Sequence, residues 1–213
     1  MGIIKKGILG GFSGKVGQVV GSSWRGLDVM RSLPKKSNSE PSNEQLEQRQ
    51  KFGLVVNFLS PLKGMLEKTY GRVSGSKSKF NLALSYHIQE AITGVMPNLE
   101  IDFSKVVLSR GELLGPKAAT VAVNTVAEIN FNWQANSGTG LSSDDDQVIM
   151  VLYNPSKKLH VVEQGSTKRV DLSLTLQVPT LFSGDVVHGW MAFLSASGKD
   201  SSTSVYLGKV TVL

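Results

Sequence analysis

The chain has 213 residues and no cysteine. This absence excludes disulfides, thiolate metal ligands and a cysteine nucleophile. No apolar run approaches the ~18 residues that a membrane-spanning helix needs. The first residues also lack the pattern of a Sec signal, because three glycines and Lys15 interrupt the short apolar patch around Ile8. These absences favour a cytoplasmic location and no membrane span.

Motifs for phosphate binding are missing as well. Residues 10–17 read GGFSGKVG, which has some likeness to a phosphate-binding loop. Such a loop needs glycine at position 9 and a serine or threonine after Lys15, but these positions hold Leu9 and Val16. We therefore expect structural glycines here rather than a nucleotide site.

Potential metal ligands are scattered along the chain. His87, His160 and His188 form no closely spaced pair, whereas a zinc site needs three or four convergent ligands. Asp144–Asp146 lacks the spacing of an EF-hand loop and is expected to be a solvated loop. The sequence predicts no metal, no cofactor and no catalytic residue, so we expect a protein that is not an enzyme.

Positive charge is concentrated at the start of the chain. Residues 1–37 carry seven basic side chains and one acidic side chain, a balance of +6 that equals the balance of the whole chain. A basic segment containing aromatic residues and glycines is a candidate for contact with an anion or a nucleic acid. The predicted anion contacts are Lys5, Lys6, Lys15, Arg25, Arg31, Lys35 and Lys36. Phe12 and Trp24 are the predicted partner contacts.

The first half of the chain predicts a glycine-rich hairpin followed by two helices. Two strand-like segments, 15–24 and 27–33, flank Arg25-Gly26, a suitable hairpin turn. Ser42 begins a capping box before an amphipathic helix, which Pro61 divides. A second amphipathic helix is predicted over residues 79–93.

From residue 100 onward the apolar residues alternate with polar ones, as they do in strands that have one buried face. Turn residues separate these segments, which favours a sandwich or a barrel. The fold class predicted is α+β, with segment 1–98 containing the hairpin and helices and segment 99–213 forming an antiparallel β-sandwich. The predicted strands lie near residues 103–108, 120–123, 127–135, 147–153, 159–163, 170–178, 185–195 and 202–212.

The C-terminal segment has three recognisable features, which are Trp133 in an early strand, Gly184-Asp185 leading into the segment from Val186 to Ala192, and a last strand from Tyr206 to Val212. With these features the segment resembles an immunoglobulin or fibronectin type III sandwich. The resemblance implies a scaffold that is used for many purposes, so it indicates a fold and no function.

The N-terminal segment contains four recognisable motifs, which are residues 10–17, Trp24-Arg25-Gly26, Val29–Ser32 and the helix start from Glu44 to Phe52. With these motifs the chain resembles a family of uncharacterised bacterial proteins known as a domain of unknown function. The resemblance extends along the whole chain and implies no activity, because none is established for the family. The same succession of hairpin and helix is similar to phage structural proteins.

The functional hypothesis is a non-enzymatic binding or structural module, with an assembly subunit as one form of it. The expected partner is a protein or a second copy of the chain. One alternative is a phage-virion-like structural protein. The other is a protein that binds nucleic acid or another anion through the basic N-terminal segment.

Overall fold

The computed structural model describes residues 3–4, 10–24, 26–35, 40–71, 77–138 and 140–213. The chain divides into two compact units, Met1–Ser42 and Asn43–Leu213. The hairpin belongs to the first unit. The helices and the sandwich together form the second.

The first unit contains a sheet in which every strand pairs with the next one along the chain. Its order is β1-β2-β3-β4 and all its pairings are antiparallel. The predicted hairpin is present, because Trp24 pairs with Leu27 on either side of residues 25–26. The predicted strand 15–24 is divided, because Gly17 adopts a φ of 58° and turns the chain. The strands are β1 Ile3–Ile4, β2 Phe12–Val16, β3 Val19–Trp24 and β4 Leu27–Ser32.

The second unit begins with its helices. The first helix starts directly after Ser42, and the serine-proline step at residues 60–61 continues it as a short 3₁₀ turn. The Ser78 hydroxyl caps the third helix by accepting a hydrogen bond from the Asn81 amide. The helices are α1 Asn43–Leu59, α2 Lys63–Thr69 and α3 Lys79–Glu90.

Two antiparallel sheets form the sandwich, as predicted. One sheet has the order β11-β8-β7 and the other has the order β10-β9-β12-β13. These two antiparallel sheets of three and four described strands form an immunoglobulin-like and fibronectin-like arrangement. The strands are β7 Lys117–Thr125, β8 Glu128–Gln134, β9 Gln147–Asn154, β10 Leu159–Lys168, β11 Ser173–Gln177, β12 Val186–Leu194 and β13 Val205–Thr211.

The four-stranded sheet is the middle layer of three. On one side of β9, Val148, Met150 and Leu152 pack in the core between the two sheets. On the other side, Ile149 and Val151 pack in a second core with residues of the helices, among them Phe58. Strand β9 is therefore buried on both faces, and the helices cover the sheet face that a free sandwich would expose to water.

The helix predicted over residues 79–93 ends at Glu90, and its last residues belong to a small hairpin. Ala91 is the C-cap, with a φ of -106° and a ψ of 12°, and the chain reverses farther on at Met96-Pro97. The two strands of this hairpin are β5 Ile92–Val95 and β6 Asn98–Ile101.

The strand predicted at residues 103–108 is also wrong. Phe103–Lys105 forms a 3₁₀ turn, because the Asp102 carboxylate accepts a hydrogen bond from the Ser104 amide. Farther on, the Leu108 amide donates to the Ser204 hydroxyl at 2.8 Å. These hydrogen bonds to side chains take the place of the backbone hydrogen bonds that a strand would form with a neighbouring strand.

The compact units differ from the predicted segments 1–98 and 99–213. Apolar residues of α1 and α2 share a core with residues of β9 and β12. The helices are therefore in the same compact unit as the sandwich. The domain boundary between residues 98 and 99 remains a prediction.

Candidate functional site

One face of the N-terminal sheet combines basic and apolar side chains. Lys15, Val20 and Arg31 lie opposite one another across β2, β3 and β4. Trp24 lies opposite Leu27 farther along the same strands. Because directly opposed residues point to the same side and alternate residues share a face, these side chains all lie on one side of the sheet. We name this surface the Trp24 face: Lys15, Val20, Ser22, Trp24, Leu27, Val29 and Arg31.

The apolar side chains of the Trp24 face are unusually accessible. Trp24 is 53% exposed and Leu27 is 62% exposed. Lys15 and Arg31 are exposed as well. Clustered apolar residues that stay accessible to water mark surfaces of interaction, whereas isolated ones are common on any protein. Tryptophan and arginine are also the residue types that contribute most often to binding energy at interfaces.

The other two predicted contact residues that the structure describes, Phe12 and Lys35, lie away from the Trp24 face. Phe12 lies on the opposite face, where its ring and carbonyl approach Gly21. Lys35 follows β4 and is exposed outside the sheet. The structure thus brings together Lys15, Trp24 and Arg31. The predicted contacts Lys5, Lys6, Arg25 and Lys36 lie outside the described residues.

Strand β4 lies at the edge of its sheet. All six of its residues are exposed, and among the described residues only β3 pairs with it. The backbone groups along its outer edge can therefore accept another strand. Met30 is 66% exposed on the face opposite Val29, so this edge has an exposed apolar side chain on each side.

Sequence reasoning missed a buried ion pair in the aspartate loop. Asp146 is buried and not solvated as predicted, because its carboxylate accepts a hydrogen bond from Arg169 Nε at 3.0 Å. The same guanidinium donates to the Asn136 side chain and to the Leu114 carbonyl, and it lies over the Phe193 ring. Asp145 pairs with a lysine at the surface. This network is structural, since it joins the loops at one end of the sandwich.

His87 lies on α3, whereas His160 of β10 and His188 of β12 lie on either side of Tyr153. His87 Nδ1 lies 2.8 Å from the Ala83 carbonyl and its Nε2 accepts from the Val107 amide, so the neutral ring links α3 to the segment that follows β6. His188 Nδ1 lies 2.7 Å from the Tyr206 hydroxyl. Burial lowers the pKa of both rings.

His160 is the most isolated of the three. Its ring packs beside Phe58 and Tyr153, and neither ring nitrogen has a hydrogen-bond partner among the described residues. Burial lowers its pKa to about 4. Within the described part of the chain, no three histidine or carboxylate side chains are grouped as metal ligands would be.

None of the helices in the described ranges has both the length and the apolar character to cross a membrane. Comparison with curated proteins gave no match. Among solved structures, the fn3 domain of the human collagen alpha-1(XX) chain is similar over 46% of this chain and 84% of its own length, with 13% identity and a TM-score of 0.34. Domains d3–d4 of the rat CD45 extracellular region are similar over 93% of this chain and 97% of their own, with 8% identity and a TM-score of 0.36.

One family model matches residues 11–208 and therefore includes strands β2 to β4 of the N-terminal sheet, the helices and nearly all of the sandwich. The matched range also contains the Trp24 face and the ion pair between Asp146 and Arg169. The chain belongs to this family, which is described as a family of unknown function (DUF6266).

Proposed function

We propose that this chain is a non-enzymatic binding module and that its N-terminal sheet holds an acidic strand of a partner protein. The observation that carries the proposal is the combination of exposed Trp24, Leu27 and Val29 with Lys15 and Arg31 on one face. The apolar residues supply contact area. The basic residues select a partner of opposite charge.

The edge of β4 supplies the geometry for this partner. An added strand would pair with the edge of β4 that no described strand occupies, and would place alternate side chains on the Trp24 face. The balance of +6 in residues 1–37 favours an acidic strand over a basic one. Residues 38–213 carry equal numbers of acidic and basic side chains, so the excess charge belongs to this segment.

Trp24 is also a specific probe of this surface. Trp133 and Trp190 are buried, at 4% and 1% exposure, whereas Trp24 is 53% exposed. Quenching of tryptophan fluorescence by acrylamide therefore reports mainly on Trp24. A synthetic peptide of alternating glutamate and valine should protect Trp24 from acrylamide. Lys15→Gln with Arg31→Gln should weaken this protection about tenfold or more, because two charged contacts are lost.

Matched control variants separate this surface from the rest of the chain. Lys117→Gln with Lys209→Gln removes two exposed charges from the sandwich and should leave peptide binding unchanged. Leu181→Ser is the apolar control for Leu27→Ser, because the two leucines are 61% and 62% exposed. Equal loss of binding in a control and in the corresponding variant of the sheet would contradict the proposal.

The two alternatives predict different results in the same assay. Protection by single-stranded DNA but not by the peptide, with strong dependence on salt, would replace the protein partner with a nucleic acid. Protection that increases with protein concentration alone, together with a rise in mass by light scattering, would indicate an assembly subunit of the virion-like kind. Absence of protection in every case would refute a role for the Trp24 face.

A further inference from the structure

A second candidate site lies entirely within the Asn43–Leu213 unit. It is a cavity of about 410 Å³ between the end of α2, the start of α3 and the segments around residues 110 and 200. This volume lies within the range of small-molecule sites. Among the described side chains that line the cavity, four are basic and two are acidic: Lys68, Lys79, Arg110, Lys199, Glu112 and Asp200.

Short contacts between distant segments fix the walls of this cavity. The Gly71 amide donates to the Arg110 carbonyl at 2.6 Å. The Ser201 hydroxyl donates to the Thr69 carbonyl at 2.6 Å. Gly111 lies so close to Ser201 that an added Cβ would be 2.0 Å from the Ser201 carbonyl oxygen. Because the backbone is held on three sides, the basic side chains extend from a fixed frame.

The electrostatics of the cavity favour an anion. Lys79 is the first residue of α3, where the helix dipole adds positive potential. Its ammonium group donates to the Lys68 carbonyl at the end of α2. Tyr70, which also lines the cavity, is buried. Burial raises the pKa of Tyr70 to about 12 against the opposing effect of Arg110, so the hydroxyl keeps its proton at neutral pH.

We propose that this cavity binds a small organic molecule through a phosphate or carboxylate group. Arg110, Lys68 and Lys199 supply the charged contacts. This site is independent of the Trp24 face, since none of its residues belongs to the N-terminal sheet.

Titration calorimetry with inorganic phosphate and with citrate tests this proposal, with chloride used to keep the ionic strength constant. We expect binding to the unaltered chain and at least about tenfold weaker binding to Arg110→Gln with Lys199→Gln. The control, Lys117→Gln with Lys209→Gln, should bind as the unaltered chain does.

Two results would overturn the cavity as an anion site. One is failure of both anions to bind the unaltered chain. The other is equal binding by the cavity variant and the control variant. The double variant Lys15→Gln with Arg31→Gln distinguishes anion binding in the cavity from peptide binding on the Trp24 face. It should leave phosphate and citrate binding intact while it weakens binding of the acidic peptide. Thermal unfolding of each variant without anion identifies any substitution that damages the fold.

Discussion

At the scale of single residues, the buried polar groups give the clearest consequences. His160 is packed between aromatic rings without a hydrogen-bond partner among the described residues. Its charged form is therefore disfavoured in the folded chain. Arg169 is also buried, but it is surrounded by acceptors and by Asp146. His160 therefore destabilises the fold when it becomes charged, whereas Arg169 stabilises the fold only while Asp146 remains as its partner.

We expect the chain to lose stability in mild acid through His160. Its pKa is about 4 in the folded state, against an ordinary value of 6.5. The unfolded state binds more protons between these values, so this contribution is complete above about pH 6.5 and is lost as the pH falls toward 4. The loss attributable to His160 is about 3 kcal/mol.

Urea unfolding at a series of pH values measures this effect. His160→Phe keeps an aromatic ring and should flatten the dependence of the unfolding free energy on pH. His87 and His188 have lowered pKa values too, so a smaller dependence of the same sign should remain. An unchanged slope in the phenylalanine variant would show that His160 is not the titrating group.

Breaking the buried ion pair should cost more than changing any exposed pair. Asp146→Asn or Arg169→Gln should lower the free energy of unfolding by about 3–5 kcal/mol, because each leaves a buried charge without its partner. Asp145→Asn is the matched control. Its partner Lys168 is at the surface, and such pairs contribute about 0–1 kcal/mol. Similar losses from Asp145→Asn and Asp146→Asn in thermal unfolding would contradict this assignment.

Sequence reasoning did not predict the ion pair between Asp146 and Arg169. Asp146 stands in a run of three aspartates, which is typical of a solvated loop. Arg169 is 23 positions later, at the end of a strand that returns beside β9. Only the register of β9 and β10 brings the two side chains together. Likewise, the sequence predicted Lys15, Trp24 and Arg31 as contacts, but only the strand register puts them on one face.

At the scale of elements, strand β9 explains both the success and the limit of the fold prediction. Its position and length were predicted from the segment 147–153. Its residues 148–153 are all apolar, however, and do not alternate with polar residues. A continuous apolar run is typical of a strand with two covered faces. The sandwich was recognisable from its other strands and turns, but the helix layer on its outer face was not predicted.

The N-terminal sheet depends on a close approach at Gly21. A Cβ added there would lie 2.2 Å from the Phe12 carbonyl oxygen. Gly21→Ala should therefore separate β2 from β3 at a cost of about 1–3 kcal/mol to this sheet. Acrylamide quenching of Trp24 should change, and acidic peptide binding should weaken.

The second unit provides the control for this substitution. Its cores are formed by residues from Val55 onward, so its thermal unfolding should not change with Gly21→Ala. Gly26→Ala tests the need for a positive φ rather than the need for space, because Gly26 has space for a Cβ but adopts a φ of 82°. A large change in unfolding of the second unit would show that the two units depend on each other for stability.

At the scale of the whole molecule, the helices and the sandwich should fold together. A chain of residues 43–213 keeps both cores and should unfold cooperatively as a soluble species. A chain of residues 99–213 would lose the helices that cover Ile149, Val151 and Trp190. It would expose an extended apolar sheet face and should aggregate.

Size-exclusion chromatography with light scattering distinguishes these two truncated chains. A monodisperse, cooperatively unfolding product from residues 99–213 would show that the sandwich is stable without its helix layer. Such a result would support the domain boundary predicted near residue 98.

The burial of β9 on both faces should also slow the exchange of its backbone amide protons with solvent. Its neighbours β10 and β12 occupy both of its edges, while apolar layers exclude water from above and below. In deuterated buffer, its amide protons can leave only when most of the second unit opens. The central amides of this strand should thus be among the slowest to exchange, and the opening free energy derived from their exchange should equal the free energy of global unfolding.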